Sequence, residues 1–302
     1  MMNKMIGNKV VTDFKKENRN AIIKLIIIRS LCYIFLCFVA VMSLFFFYLL
    51  LVNTTKSNNT LQGGKFSLAL SQYFNQNFRN LFTKFKTDFD AMKGFRASFV
   101  IAFSSATLTC YFSALTAYGI YTYDFKGKKI MEAFILAIMM IPTQLSSVGF
   151  FQLASKYSLK NNWLILILPS IAAPSIFFYM IQYLRATLPK DLIESSRIDG
   201  SNEFMTFNRV VLPIMKPAIA VQMIFSFVGS WNNLYMPSLL LSDSNKKTLP
   251  VMINALQRTS WGNIDLGCVY MAIFLSILPV VVVYLFLSKF IIKGVTAGSI
   301  KG

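Results

Sequence analysis

The stretch IESSRIDGSNEFMTFNRVVLP, from Ile193 to Pro213, lies between two runs so apolar that they read as membrane. Four of the twelve acidic residues of the chain (Asp191, Glu194, Asp199 and Glu203) fall in it or beside it. Its local chemistry is explicit. Pro189 suits the first turn of a helix, where a missing N–H costs nothing. Asp191 then stands where the helix dipole favours an acid, and DLIESSRID continues as a short helix. Gly200 suits the left-handed C′ position that ends a helix. Ser201 can cap a second helix, NEFMTFNRVV, and Pro213 and Pro217 punctuate its exit toward the next apolar run. The reading is helix, glycine elbow, helix, lying outside the membrane. A simple connector needs less structure than this, and a polar knob of this kind suits contact with another protein.

The flanking runs are typical of the whole chain. Of 302 residues, 55% are apolar and 14% charged, and the mean hydropathy is +0.56. Charges cluster between apolar runs of membrane-spanning length, the pattern of a polytopic helical membrane protein. The net charge of +18 therefore reads as topology, because lysine and arginine hold cytoplasmic loops inside. No nucleic-acid partner is expected. The four cysteines, Cys32, Cys37, Cys110 and Cys268, all lie in apolar runs without a CxxC partner, so neither a disulfide nor a metal site is expected. Histidine is absent, which removes most catalytic triads and most zinc sites. No GxxxxGK[ST] occurs, and GGK at Gly63 to Lys65 lacks the upstream glycine. The chain cannot cradle ATP phosphates itself.

Six spans are expected: Leu31–Val52, Ser98–Ala117, Ile130–Leu153, Trp163–Tyr183, Ile219–Leu241 and Leu266–Leu287. The first, about 22 residues or roughly 33 Å of helix, is long enough to cross. It reads as a retained span and not a cleaved signal. Pro142 should kink or break the third. Of the 30 lysines and arginines, 18 fall on the side of the two termini and 12 on the other, which favours an N-in, C-in topology. The fold class is thus all-α, with residues 1–30 a basic cytoplasmic tail, 31–52 the first span, 53–96 an extracellular segment, 97–292 the transmembrane domain with its loop at 187–216, and 293–302 a cytoplasmic tail. Within 53–96, Phe74, Phe78, Leu81, Phe82, Phe85 and Phe89 share one helical face. Arg79, Lys84 and Lys86 sit off it. An interfacial helix lying on lipid is expected, or a docking surface for an extracellular partner.

ESSRIDG (Glu194 to Gly200), followed by Leu212-Pro213, resembles the EAA loop of binding-protein-dependent ABC importers: Glu, two small residues, three positions, Gly, then a hydrophobic-Pro pair. YDFKGKKI, MMIPTQ, LPKDLIESSRIDGSNEF, SWNNLYMPSLLLSDSNKKTLPV and the terminal GVTAGSIKG are similar, in the expected order, to the MalG-like permeases of the carbohydrate-uptake family. The similarity covers about Ala97 to Gly302. Ser195-Ser196 replaces the usual two alanines, and the segment 53–96 is unusually long and basic. The resemblance implies a MetI-like permease fold whose EAA loop is a coupling helix docking in a cleft of a separate ATPase. ATP and Mg2+ would sit on that subunit, and this chain would bind no cofactor. It also implies a second homologous permease subunit, an ATPase dimer, an extracellular solute-binding protein and a place in the bacterial inner membrane. Among coupling residues it assigns Glu194 the charge contact, Ser195 and Ser196 the small positions, Gly200 the elbow and Pro213 the exit. Asp199 is read as a cap or a local partner of Arg197, and Phe204 and Phe207 as apolar anchors. The tail at Thr296, Gly298 and Lys301 would reach toward the ATPase.

Polar residues inside spans face an interior or an aqueous path. Gln144, Ser146, Trp231, Asn232, Asn233 and Tyr235 are therefore candidates for a sugar path, since a ring covers a sugar's apolar face and amides bond its hydroxyls. Interhelical hydrogen bonding is the competing role. Two other functions stand beside the sugar importer. One is an importer of the same superfamily for another solute, such as glycerol phosphate or another polyol phosphate, which would want buried Arg or Lys in the spans. The other is a stand-alone secondary transporter, which would need intramembrane acids. Glu132 is the only acid inside a span as drawn.

Overall fold

The computed structural model describes residues 2–64, 66–85, 89–258 and 264–299, and for 2–21, 143 and 289–299 the course of the backbone alone. Every regular element among them is helical. Helix α1 (Met2–Thr54) runs unbroken for 53 residues, so the basic tail and the first span share one helix. Two short helices, α2 (Asn58–Gln62) and α3 (Phe74–Thr83), follow. The longest buried element is α4 (Ala91–Thr122), capped by Asp90, whose carboxylate accepts from the Lys93 N–H.

The third expected span is broken, as Pro142 requires. Helix α5 (Lys128–Ile138) stops, Met139 to Pro142 carry a turn, and α6 (Thr143–Lys156) starts directly after the proline. Next come α7 (Leu164–Ile167), a 3-10 turn at Leu168–Ile171 and α8 (Pro174–Thr187), with Pro174 in the first helical turn. The stretch that began the sequence reading holds α9 (Lys190–Ile198), α10 (Glu203–Thr206), a π turn at Phe207–Val211 and α11 (Leu212–Ile214). Helix α12 (Lys216–Trp231) leaves it at 80°. The chain closes with α13 (Tyr235–Leu240), α14 (Leu249–Arg258) and α15 (Leu266–Ser299).

Four stretches are long and apolar enough to cross a membrane among the described residues: Ile22–Thr54, Ala91–Thr122, Leu164–Thr187 and Leu266–Ser288. The bent pair at α10–α12 would make a fifth. The apolar part of α1 is exposed from Ile22 to Leu44 and becomes buried toward its end, at Val52 and Thr54.

Alanines at positions 97, 102, 106, 114 and 117 leave α4 fully buried at those points. Small side chains let neighbouring backbones approach closely. Two apolar clusters form around this helix. The first joins Tyr118 of α4, Ile181 and Leu184 of α8, Ile193 of α9, and Phe207. The second joins Phe227 and Trp231 of α12 to Leu249 and Met252 of α14, Met271 of α15, and Leu81, Phe85 and Phe89 of residues 53–96. This corrects the reading of residues 53–96. Leu81 and Phe89 are at most 1% exposed, sealed into this second cluster and not laid on lipid; of that face only Phe78 and Phe82 are exposed, ring against ring at 4.8 Å. Asn77 fixes the cover. Its amide donates to the carbonyls of Thr54 and Lys56 at 2.8 Å, and its side chain fills the space over Gly267 at the start of α15.

Candidate functional site

The polar knob takes its shape from local rules. Pro189 precedes α9, and Asp191 lies in its first turn. Gly200 adopts φ +79°, the left-handed region that costs other residues. The Gly200 N–H donates to the Arg197 carbonyl at 3.0 Å and the Ser201 N–H to that of Ser196 at 3.0 Å. These are the two bonds of a Schellman cap. Asn202, not Ser201, caps α10, its Oδ1 accepting from the Met205 N–H at 2.8 Å. The elbow consumes one residue more than expected, leaving Ser201 inside the cap.

One face of the knob is buried and the other bare. Ile193 and Ser196 face the bundle, and Ser196 Oγ donates back to the Leu192 carbonyl at 2.8 Å, so a buried serine is satisfied without a partner helix. Glu194, Ser195, Asp199 and Pro213 are exposed. Ile198 is 86% and Phe204 68% exposed, whereas Phe207 is wholly buried against Tyr111 and Tyr118. The two phenylalanines therefore divide: Phe204 projects outward and Phe207 belongs to the core. Of the tail residues, Thr296 and Gly298 fall on the backbone of α15 without described side chains, and Lys301 lies outside the described residues.

Arg197 pairs with Glu203 instead of Asp199. Its Nε donates to Glu203 Oε1 at 2.8 Å, and its guanidinium lies over Tyr123 at 5.7 Å. Glu203 Oε2 accepts from the Tyr118 hydroxyl at 2.8 Å. Partial burial works against the Glu203 carboxylate, but bonds from Tyr123, Arg197 and Tyr118 outweigh it and hold this carboxyl below its ordinary range. Tyr121 adds a bond from its hydroxyl to the Leu188 carbonyl at 2.6 Å. The sequence reading placed Glu203 in the acidic cluster without a role and passed over the tyrosines. The available signal was their spacing: 111, 118 and 121 fall on one side of a helix.

A second feature lies apart from the knob. A cavity of about 920 Å³ opens between α4, α6, α8, α12 and α13. Gln144, Ser146, Asn233 and Tyr235 line it. Trp231 and Asn232 do not: Trp231 is 2% exposed, stacks on Phe227 at 5.6 Å and donates from Nε1 to the Ser276 carbonyl at 3.1 Å. Its indole is taken up by these core contacts and does not reach the cavity. Ser105 and Thr109 of α4, one turn apart, line the cavity as well. Thr109 donates to the Ser170 carbonyl at 2.7 Å, while Ser105 Oγ is buried without a hydrogen-bond partner. Ser147 and Tyr235 bring their hydroxyls to 3.2 Å across α6 and α13. No charged side chain is among the lining residues. The one acid drawn inside a span, Glu132, is held by both carboxylate oxygens on Arg185 at 2.8 and 2.9 Å. An acid clamped this way is poorly suited to ion coupling.

Together these features define a multi-pass helical membrane protein with an uncharged, hydroxyl-lined cavity and, apart from it, a structured polar knob. Residues 111–296 match the family described as binding-protein-dependent transport system inner membrane component, and the chain belongs to that family. It is 36% identical over 213 residues to the arabinooligosaccharides transport system permease protein AraQ of Bacillus subtilis, covering 70% of this chain and 74% of the relative. It is 33% identical over 208 residues to the trehalose/maltose transport system permease protein MalG of Thermococcus litoralis, covering 68% and 74%. It is 29% identical over 253 residues to the diacetylchitobiose uptake system permease protein NgcG of Streptomyces coelicolor, covering 83% and 82%. In fold it is similar to a chain of a bacterial ABC transporter involved in the import of the acidic polysaccharide alginate, with TM-score 0.73 and 19% identity over 87% of this chain and 96% of that one.

Proposed function

We propose that this chain is the membrane-embedded permease subunit of an ABC importer that moves a sugar or oligosaccharide inward across the bacterial inner membrane by alternating access. It does no chemistry. ATP and Mg2+ are held by a separate ATPase dimer, a solute-binding protein delivers the cargo from outside, and a second homologous permease completes the path. The observation that carries the reading is the exposed helix–Gly200–helix knob in a chain of this family. It is backed by relatives named for arabinooligosaccharides, trehalose/maltose and diacetylchitobiose. The absence of charge around the cavity supports neutral cargo over a phosphorylated one, since an anion there would lack a counter-charge in a low-dielectric site.

Six crossings with both termini inside fit this role, the broken pair α5 and α6 making one crossing and α12 with α13 another. The knob then faces the cytoplasm. Glu194 and Asp199 offer it charge, Ser195 a small contact, and Phe204 an apolar anchor; Thr296, Gly298 and Lys301 are assigned to contact with the same partner. Closure of the ATPase dimer on ATP would move the knob as a rigid body and re-aim the cavity.

Purification of the chain co-expressed with its genomic neighbours tests this. A stable complex containing an ATPase is expected. A purified binding protein from the same locus should rise in melting temperature with a neutral sugar and not with glycerol phosphate. Isolation of the chain without any ATPase, or stabilisation by the phosphate alone, would overturn it.

A further inference from the structure

The knob is joined to one helix more firmly than to any other, and the joint is made of tyrosines. Tyr118 donates to Glu203 Oε2 at 2.8 Å, and Tyr121 donates to the Leu188 carbonyl at 2.6 Å. Tyr111 reaches Asn208 Oδ1 at 3.4 Å. Helix α4 thus holds the segment before α9, the start of α10 and the π turn. The positions 111, 118 and 121 lie along one side of α4. Arg197 of α9 completes the grip by bonding the other oxygen of Glu203. The same helix carries Ser105 and Thr109 into the cavity. At its outer end Ser98 Oγ accepts from the Leu249 N–H at 2.8 Å. Thirty-two residues of unbroken helix, about 48 Å, therefore connect the knob, the cavity wall and the outer loop.

We infer that Tyr111, Tyr118, Tyr121 and Glu203 are positioning residues for transport: they make α4 the strut that carries the knob's movement to the cavity. This rests on the proposed coupling role of the knob. The physical reason is stiffness. The other elements near the knob are interrupted, by Met139–Pro142 between α5 and α6, by the 3-10 turn and Ala172–Ala173 before α8, and by the 80° bend before α12. A kinked or hinged element absorbs a displacement, whereas a straight helix bonded at its end passes it on. Glu203 is suited to the joint because its two oxygens bind different helices, so α9, α10 and α4 move together or the bonds break.

The test reads cavity accessibility, so it needs no identified sugar. Ser230, which lines the cavity, is replaced by cysteine in a background where Cys32 and Cys37, the exposed cysteines, are serine. The complex with its ATPase is reconstituted in vesicles. Labelling of Ser230→Cys by a membrane-impermeant maleimide is compared with no nucleotide and with MgATP trapped by vanadate. A labelling ratio that differs between the two states is expected in the parent. Tyr118→Phe, Glu203→Gln and the triple Tyr111→Phe/Tyr121→Phe/Tyr118→Phe variant each remove hydroxyl or charge and keep shape. In them the nucleotide-dependent ratio should fall about tenfold toward unity, the scale of one charge-assisted bond, while the ATPase still co-purifies. A merely structural role would lower the yield of complex and leave the ratio in assembled complexes unchanged. That result overturns the strut, and if the triple variant does not assemble, the two single variants decide in the same way. A parent ratio that does not respond to nucleotide overturns the coupling reading itself.

Discussion

Replacement of Gly200 isolates the backbone from everything else. Gly200 sits at φ +79°, and a methyl group built on it meets nothing within 4 Å of this chain. A substitution there acts through the left-handed backbone and not through a clash. Alanine in that region costs about 1 kcal/mol and valine, β-branched, about 2 kcal/mol. Those figures lower the population of the capped elbow by factors of about 5 and about 30. Asparagine tolerates the conformation and should stay near glycine. The two N–H groups of the cap, on Gly200 and Ser201, supply the direct readout by hydrogen exchange. The functional readout is transport per ATP hydrolysed by the reconstituted complex. Gly200→Val should insert in the membrane and assemble, then hydrolyse ATP with little transport, with Gly200→Ala between it and Gly200→Asn. Normal transport with Gly200→Val would refute the elbow's role in coupling. If Gly200→Asn is as damaging as Gly200→Val, side-chain bulk against a partner is responsible, and the backbone argument fails.

Three further outcomes follow. Trp231→Phe keeps the ring packing against Phe227 and loses the bond to Ser276. It should lower the melting temperature of the detergent-solubilised protein by the equivalent of about 1 kcal/mol and leave sugar dependence of transport unchanged. Gly267→Ala places a methyl 2.7 Å from the Asn77 amide; a cost of about 1–3 kcal/mol is expected, partly relieved in the double variant with Asn77→Ala. Glu203, outside the spans, has a carboxyl held below its ordinary range by its three partners, although burial opposes this. Its contribution is fully present above that ordinary range and is lost only as pH falls through the lowered value. Exchange protection at α10 should therefore be flat from neutral to mildly acidic pH in the parent. A loss at mildly acidic pH would contradict the Glu203 assignment.

The elements that the sequence reading found best are those governed by short-range rules. Pro189, Asp191 and Gly200 act within a turn or two, and their helix and elbow appear where those rules put them. The same holds for the break at Pro142. The cap shifted from Ser201 to Asn202 because the Schellman bonds take one residue beyond the glycine, and both side chains are chemically able to cap. The cavity was half legible. Gln144, Ser146, Asn233 and Tyr235 line it, since polar groups in apolar runs have few other places to go.

Trp231 and residues 53–96 show where that reasoning stops. An indole beside two amides has the same composition whether it meets a sugar or a core, and only the approach of Ser276 and Phe95 decides it. The apolar face of residues 74–89 could have met lipid or protein; Leu81, Phe85 and Phe89 meet the cluster of α12, α14 and α15, while Phe78 and Phe82 stay exposed. The amino-acid order alone determined the helical class, the break at Pro142, the elbow and the uncharged character of the cavity, because each depends on transfer energy or on dihedrals a few residues long. Tertiary structure alone decided which polar groups find one another: Arg197 with Glu203, Glu203 with Tyr118, Glu132 with Arg185. Those pairings join residues separated by as much as 85 positions, and no local energy term distinguishes them before the helices pack.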